Sequence, residues 1–80
     1  MFFVYILKSL KYDKYYVGQT KDLEKRLIFH NSNQARWTKR FQPWEIVYVE
    51  AYSDRSGSMR REKELKKVKN IRVFLNNKSK

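Results

Sequence analysis

Two apolar runs near the start of the chain, Phe2 to Leu7 and Tyr15 to Val17, bracket the polar stretch Lys11-Tyr12-Asp13-Lys14. Both runs are rich in β-branched and aromatic residues, so the pattern reads as strand, turn, strand. A hairpin of this kind constrains everything after it, because each later element must cover one of its faces. With Leu10 to Asp13 as the connection, Ser9 pairs with Lys14, Leu7 with Tyr16 and Tyr5 with Gly18. Tyr5 and Tyr16 then become diagonal neighbours on one face. Two phenols would stand within reach of one small ligand, with Gly18 leaving room for a backbone or a phosphate. The same residues also suit ordinary strand packing, since tyrosine favours strands.

Eighty residues make one domain, read here as a core over 1–75 with a frayed tail at 76–80. A chain this short hides only about 60% of its unfolded surface, which excludes a deep multi-domain cleft. Having no cysteine, it has no disulfide framework, no thiolate metal site and no cysteine nucleophile. The apolar start, Met1 to Leu7, is too short to span a bilayer and is followed at once by Lys8 and Lys11. It reads as a strand of a soluble, cytoplasmic protein. Nineteen Lys and Arg against eight Asp and Glu give a net charge of +11, and aromatics make up 16% of the residues. That balance predicts a polyanionic partner, DNA or RNA, rather than a membrane. It sets affinity and says nothing of chemistry, so a basic nucleic-acid scaffold stays open at this point.

Further along, Thr20 stands where a helix N-cap would, with Asp22 and Glu24 opposing the positive end of the helix dipole. The helix is expected over about residues 21–30, with Leu23, Leu27 and Ile28 as its apolar stripe. Arg26 and His30, one turn apart, could address one anionic group beside the hairpin; a solvated face is the plainer reading. Asn31 to Pro43 is a polar connection in which Arg36, Lys39 and Arg40 interleave with Trp37 and Phe41. The cations suit phosphates, and the rings could stack on bases or fold back over the core. Trp44 to Tyr52 is the third strand, with Trp44, Ile46 and Tyr48 expected on one side, Val47, Val49 and Ala51 on the other, and both sides buried. Ser53 or Asp54 caps a second helix reaching to about Lys69. Its stripe of Met59, Glu62 and Leu65 puts a carboxylate toward the sheet, where it needs a cation such as Arg60 or Arg26, or a metal; alternatively the inward stripe is offset and Glu62 lies at the surface among Arg61, Lys63 and Lys66. Val68 to Leu75 forms a short third helix.

Together, Val4-Tyr5-Ile6, Tyr16-Val17-Gly18, Arg26, His30-Asn31 and the run Arg60-Arg61-Glu62-Lys63-Glu64-Leu65-Lys66 resemble the GIY-YIG nuclease superfamily. The likeness extends over nearly the whole chain and is to small stand-alone members related to the N-terminal catalytic domain of the excision-repair subunit UvrC. It implies an α+β fold in β-β-α-β-α-α order, with a three-stranded antiparallel sheet flanked by helices, and an endonuclease that hydrolyses phosphodiester bonds with one Mg²⁺ or Mn²⁺. By that resemblance Tyr5 activates the nucleophile and Tyr16 orients the water or a phosphate oxygen. Gly18 matches the glycine of the second motif, Arg26 balances charge on phosphate, His30 fills a position that is histidine or tyrosine in relatives, and Glu62 holds the metal. Lys8, Lys14, Arg36, Trp37, Lys39 and Arg40 are the remaining expected nucleic-acid contacts. The substrate implied is DNA, selected by branched, nicked, damaged or single-stranded structure rather than by sequence.

Two departures accompany the resemblance. The leading glycine of the first motif is Val4, which contributes no reacting side chain. The C-terminal asparagine that positions substrate in larger relatives has no match at the expected spacing, Asn76 and Asn77 falling later. A catalytically silent DNA- or RNA-binding module on the same fold is the alternative.

Overall fold

The computed structural model describes residues 1–78. Its elements are β1 (Phe2–Ser9), β2 (Tyr15–Thr20), α1 (Leu23–His30), a 3-10 turn (Thr38–Phe41), β3 (Trp44–Tyr52), α2 (Arg55–Lys66) and α3 (Ile71–Lys78). The three strands form one antiparallel sheet in the order β2-β1-β3. The α+β architecture expected from the sequence is the one observed.

The hairpin register is the expected one, with Tyr5 opposite Gly18 and Leu7 opposite Tyr16, closed by a backbone hydrogen bond from Ser9 N–H to the Lys14 carbonyl. Being central, β1 is buried on both faces, and its alternation divides the core in two. Val4 and Ile6, with Val17, pack against Leu65 of α2 and against Ile71, Phe74 and Leu75 of α3. On the other face Tyr5 and Leu7 pack with Trp44, Tyr16, Leu23, Leu27 and Phe41. The sheet is thus a partition with α2 and α3 on one side and α1 and the 3-10 turn on the other.

Several local expectations are corrected. The cap of α1 is Asp22, whose side chain accepts from Lys25 N–H at 3.0 Å, while the Thr20 hydroxyl is engaged with the Asp22 backbone. A carboxylate outcompetes a hydroxyl for the cap, and the helix starts two residues later than expected. Ile28, 63% exposed, leaves the apolar stripe. A bulge in the β1–β3 pairing sets Ile6 opposite Tyr48 but Leu7 opposite Ile46, which inserts Val47 and reverses the alternation. Trp44 and Ile46 therefore face α1, whereas Val47, Tyr48 and Tyr52 pack on the α2 side. As an edge strand β3 buries only Trp44 fully, so it is less covered than its apolar run implies. Asp54 caps α2 by accepting from Gly57 N–H at 2.6 Å. That helix ends at Lys66 rather than near Lys69, and its inward residues are Ser58 and Leu65, Met59 being exposed. Residues 76–78, expected to fray, continue α3; the rest of that expected tail, residues 79–80, lies outside the described residues.

Candidate active site

The α1 face of the hairpin carries an aromatic cluster around one histidine. His30, the last residue of α1, is only 3% exposed. Its Nε2 is hydrogen-bonded to the Tyr5 hydroxyl at 3.0 Å and its Nδ1 to Thr38 Oγ1 at 2.9 Å. Thr38 is fixed in turn because its carbonyl accepts from Trp44 Nε1 at 2.6 Å. The Tyr16 ring lies 4.6 Å from the imidazole and 6.4 Å from the Tyr5 ring, centroid to centroid. One strand pair, one helix end and the 3-10 turn thus meet at the imidazole.

Gly18 explains how two phenols share this face. A Cβ there would stand 2.6 Å from Tyr5 Cζ and 3.0 Å from Tyr16 Cε2. The room expected for a backbone or a phosphate is occupied by the tyrosine rings themselves.

Electrostatics separates the groups. Burial first, then the neighbouring Tyr16, push the Tyr5 phenol above its ordinary value; Arg26 pulls it down and Glu62 raises it further. Tyr5 is 2% exposed and holds its proton at neutral pH. His30 is pushed down from 6.5 to about 4, by burial and then by Arg26, so its imidazole is neutral at pH 7. Arg26 is itself exposed, with its guanidinium over the Phe29 ring at 5.3 Å.

Glu62 sits on α2 with its side chain 21% exposed, paired to Lys66 at 3.0 Å rather than to Arg26 or Arg60. Its charge acts on Tyr5 without touching it. Among the described residues no group of three or more His, Cys, Asp or Glu is placed to hold a metal ion, and such a set would be needed to cage Zn²⁺. One carboxylate does fit Mg²⁺ or Mn²⁺, which keep several waters and complete their shells with substrate phosphate.

The expected phosphate contacts divide. Lys14 lies over the Phe41 ring at 5.5 Å, and Arg36, Lys39 and Arg40 are exposed around the 3-10 turn. Trp37, 45% exposed, packs one side on Phe41, Trp44 and Tyr16, so it both covers the core and offers an open ring. Lys8 does not join them: its Nζ lies over Tyr15, a residue of the α2–α3 face. Alternation along β1 sends Lys8 to the side opposite Tyr5. Asn76 and Asn77 are exposed on α3.

Sequence reasoning missed two groups. Thr38, buried at 3%, looked like part of a polar loop; a hydroxyl between Trp37 and Phe41 was its one signal. Glu50 accepts from Arg61 Nε at 2.9 Å and from the Tyr48 and Tyr52 hydroxyls, tying α2 to β3. Burial alone would raise the Glu50 carboxyl, but hydrogen bonds from Arg61, Tyr48 and Tyr52 outweigh it and hold the group at about 2. Alternation along β3 hid this network, because only the bulge brings Tyr48, Glu50 and Tyr52 to the α2 side.

The sequence matches the GIY-YIG catalytic domain family over residues 1–75. The chain belongs to that family. It is similar to a UPF0213 protein of Staphylococcus saprophyticus, 42% identical over 65 residues that cover 80% of this chain and 78% of the other. It is also similar to UPF0213 protein YazA of Bacillus subtilis, 36% identical over 67 residues, 82% of this chain and 67% of that one. The solution NMR structure of a UPF0213 protein from Bacillus halodurans superposes with a TM-score of 0.58 at 28% identity, covering all of this chain and 86% of that chain. Membership of the GIY-YIG family places the chain among nucleases, whose substrate is nucleic acid and which generally use divalent metal ions.

Proposed function

We propose that this GIY-YIG domain is a metal-dependent endonuclease that cuts DNA by structure rather than by sequence. The observation that carries the reading is the Tyr5–His30–Tyr16 cluster with Arg26 and Glu62 acting on it. A neutral imidazole joined to a buried phenol is costly to assemble for packing alone, since each polar group must find its partner away from water.

The division of labour between the phenols follows from burial. Tyr5, protonated and almost closed to solvent, is a positioning residue; its bond to His30 fixes the face on which Tyr16 rests. Tyr16 is half-buried and can reach an incoming phosphate or its attacking water. Tyr16 thus keeps the role implied by the family resemblance, and only that of Tyr5 changes, from activating the nucleophile to positioning the cluster. Arg26, exposed beside the cluster, would meet the charge growing on phosphate. Glu62 would hold the divalent cation after exchanging Lys66, and when bound that cation supplies Lewis acidity to the phosphoryl group. Arg36, Lys39, Arg40 and Lys14 would hold the flanking backbone, and Trp37 offers a ring to an unstacked base.

The test compares single-turnover cleavage of duplex, branched and single-stranded DNA with Mn²⁺, alongside urea melts. Glu62→Gln should abolish cleavage while costing less than about 0.5 kcal/mol, because a helical i,i+4 ion pair contributes no more than that. Tyr16→Phe should lower the cleavage rate about 100-fold with stability near wild type. Tyr5→Phe should lose activity and also about 1 to 2 kcal/mol, since it strands His30 Nε2. Full activity in Glu62→Gln, or an inactive wild type on every DNA structure with every divalent metal, would leave a binding module.

A further inference from the structure

Beyond the aromatic cluster, the start of β1, the end of β2, one side of α1 and the start of α2 line an open cavity of about 520 Å³. Lys21, Lys25, Arg26 and Arg55 line it together with Phe2 and Phe29. Among the described residues none of these four cations takes part in an ion pair. Two of them lie over the rings instead, Lys21 Nζ 5.2 Å from Phe2 and Arg26 Cζ 5.3 Å from Phe29. Among the described residues the one acidic side chain in the lining, Asp22, is occupied in capping Lys25 N–H. Four unneutralised cations converging on one hollow repel each other, and an anion relieves that repulsion.

We propose that this cavity holds an unpaired stretch of the substrate strand beside the bond to be cut. The inference rests on the nuclease reading and names the substrate class of that site. Arg26 belongs to both places, so a strand entering the cavity is already at the cluster. The combination of cations with aromatic rings is what a single strand requires: as Lys21 and Arg26 turn from the Phe2 and Phe29 rings to meet phosphates, each frees a ring face on which a base can stack. A hollow of this volume accommodates a small ligand, which suits a nucleotide or two and not a duplex, whose bases are stacked inward. The substrate is therefore DNA with an unpaired arm, such as an overhang or flap.

The test is fluorescence anisotropy on labelled blunt duplex and on the same duplex with an unpaired arm, over a salt series. Wild type should bind the armed duplex at least about tenfold tighter than the blunt one; equal affinity overturns the proposal without recourse to any variant. Lys21→Gln, Lys25→Gln and Arg55→Gln combined should erase that preference. The same change should make the salt slope on the armed duplex shallower by about 2, near 0.7 for each phosphate left without its cation. A charge-matched control, Lys63→Gln, Lys67→Gln and Lys69→Gln on surfaces outside the cavity, should keep the preference. Equal losses in both triple variants, or equal losses on both DNAs, would reduce the cavity to general charge. Arm-selective binding by a wild type that cuts nothing would sink the catalytic reading and leave this one standing. Cleavage with no arm preference would do the reverse.

Discussion

Gly18→Ala probes the site through a single methyl group. Gly18 has an ordinary extended backbone, with no positive φ, so alanine is conformationally acceptable and gains about 0.5 kcal/mol over glycine in a strand. The cost is steric. Its Cβ would stand 2.6 Å from Tyr5 Cζ and 3.0 Å from Tyr16 Cε2, and Tyr5 cannot swing aside without leaving His30, to which it is bonded at 3.0 Å. Overpacking of a tight core costs about 1 to 3 kcal/mol, and loss of the buried hydrogen bond adds about 1. Net destabilisation should be about 2 to 3 kcal/mol, which in a domain of this size lowers Tm by about 8 to 24 °C. Urea melts at unchanged m-value give the number. Combining the change with Tyr5→Leu, which removes the ring atoms in the way, should cost less than the two changes added together. A Gly18→Ala protein within about 0.5 kcal/mol of wild type, or additive behaviour in the double variant, would refute the claim that Gly18 exists to seat the two rings.

Two predictions concern acid. Glu50, held at about 2 against an ordinary 4.5, contributes stability that is complete above pH 4.5 and is lost as pH falls toward 2. The shift corresponds to about 3 kcal/mol, reduced to about 1 to 2 by the partial exposure of its surface network, so Glu50→Gln should cost that much at pH 7 and much less at pH 2. A pH-independent cost would argue against the ionic origin. His30, lowered from 6.5 to about 4, is neutral when folded. The unfolded chain therefore binds the extra proton, and wild-type stability should fall by about 2 to 3 kcal/mol between pH 6.5 and 4. NMR titration of the imidazole with a midpoint near 4 and a cleavage rate flat down to about pH 5 would support this; a midpoint above 6 would refute it.

The hairpin and its register were legible in the sequence because a period-two pattern and a short polar connection leave few ways to pair the strands. That register alone put Tyr5, Tyr16 and Gly18 on one face. The third strand, the order of helices and a cap at Ser53 or Asp54 were equally local, each written in a contiguous run. His30 and Arg26 could be placed one turn apart on one face of α1, beside its apolar stripe, but spacing along one helix cannot say which is buried. The hydrogen bond to Thr38, eight residues away across an irregular segment, holds the ring in place, and its burial, with Arg26 nearby, sets its neutral state. Glu62 was visible as a carboxylate out of pattern, but which basic neighbour it would pair with, Lys66 being one of several, was not, since surface ion pairs depend on rotamers that helical periodicity does not choose.

What only the tertiary structure decided turns on one inserted residue. Val47 bulges from β3, and past it every side chain changes face. Glu50 thereby reaches Arg61 and anchors the helix that carries Glu62. Nothing in the alternation of Trp44 to Tyr52 announces this, because a bulge is a mismatch between two strands and becomes defined only when both are paired. The same holds for the basic cavity, whose cations lie at residues 21–26 and 55, far apart in the chain. The sequence determined that they are charged; the packing of α1 and the start of α2 beside the ends of β1 and β2 determined that they line one cavity.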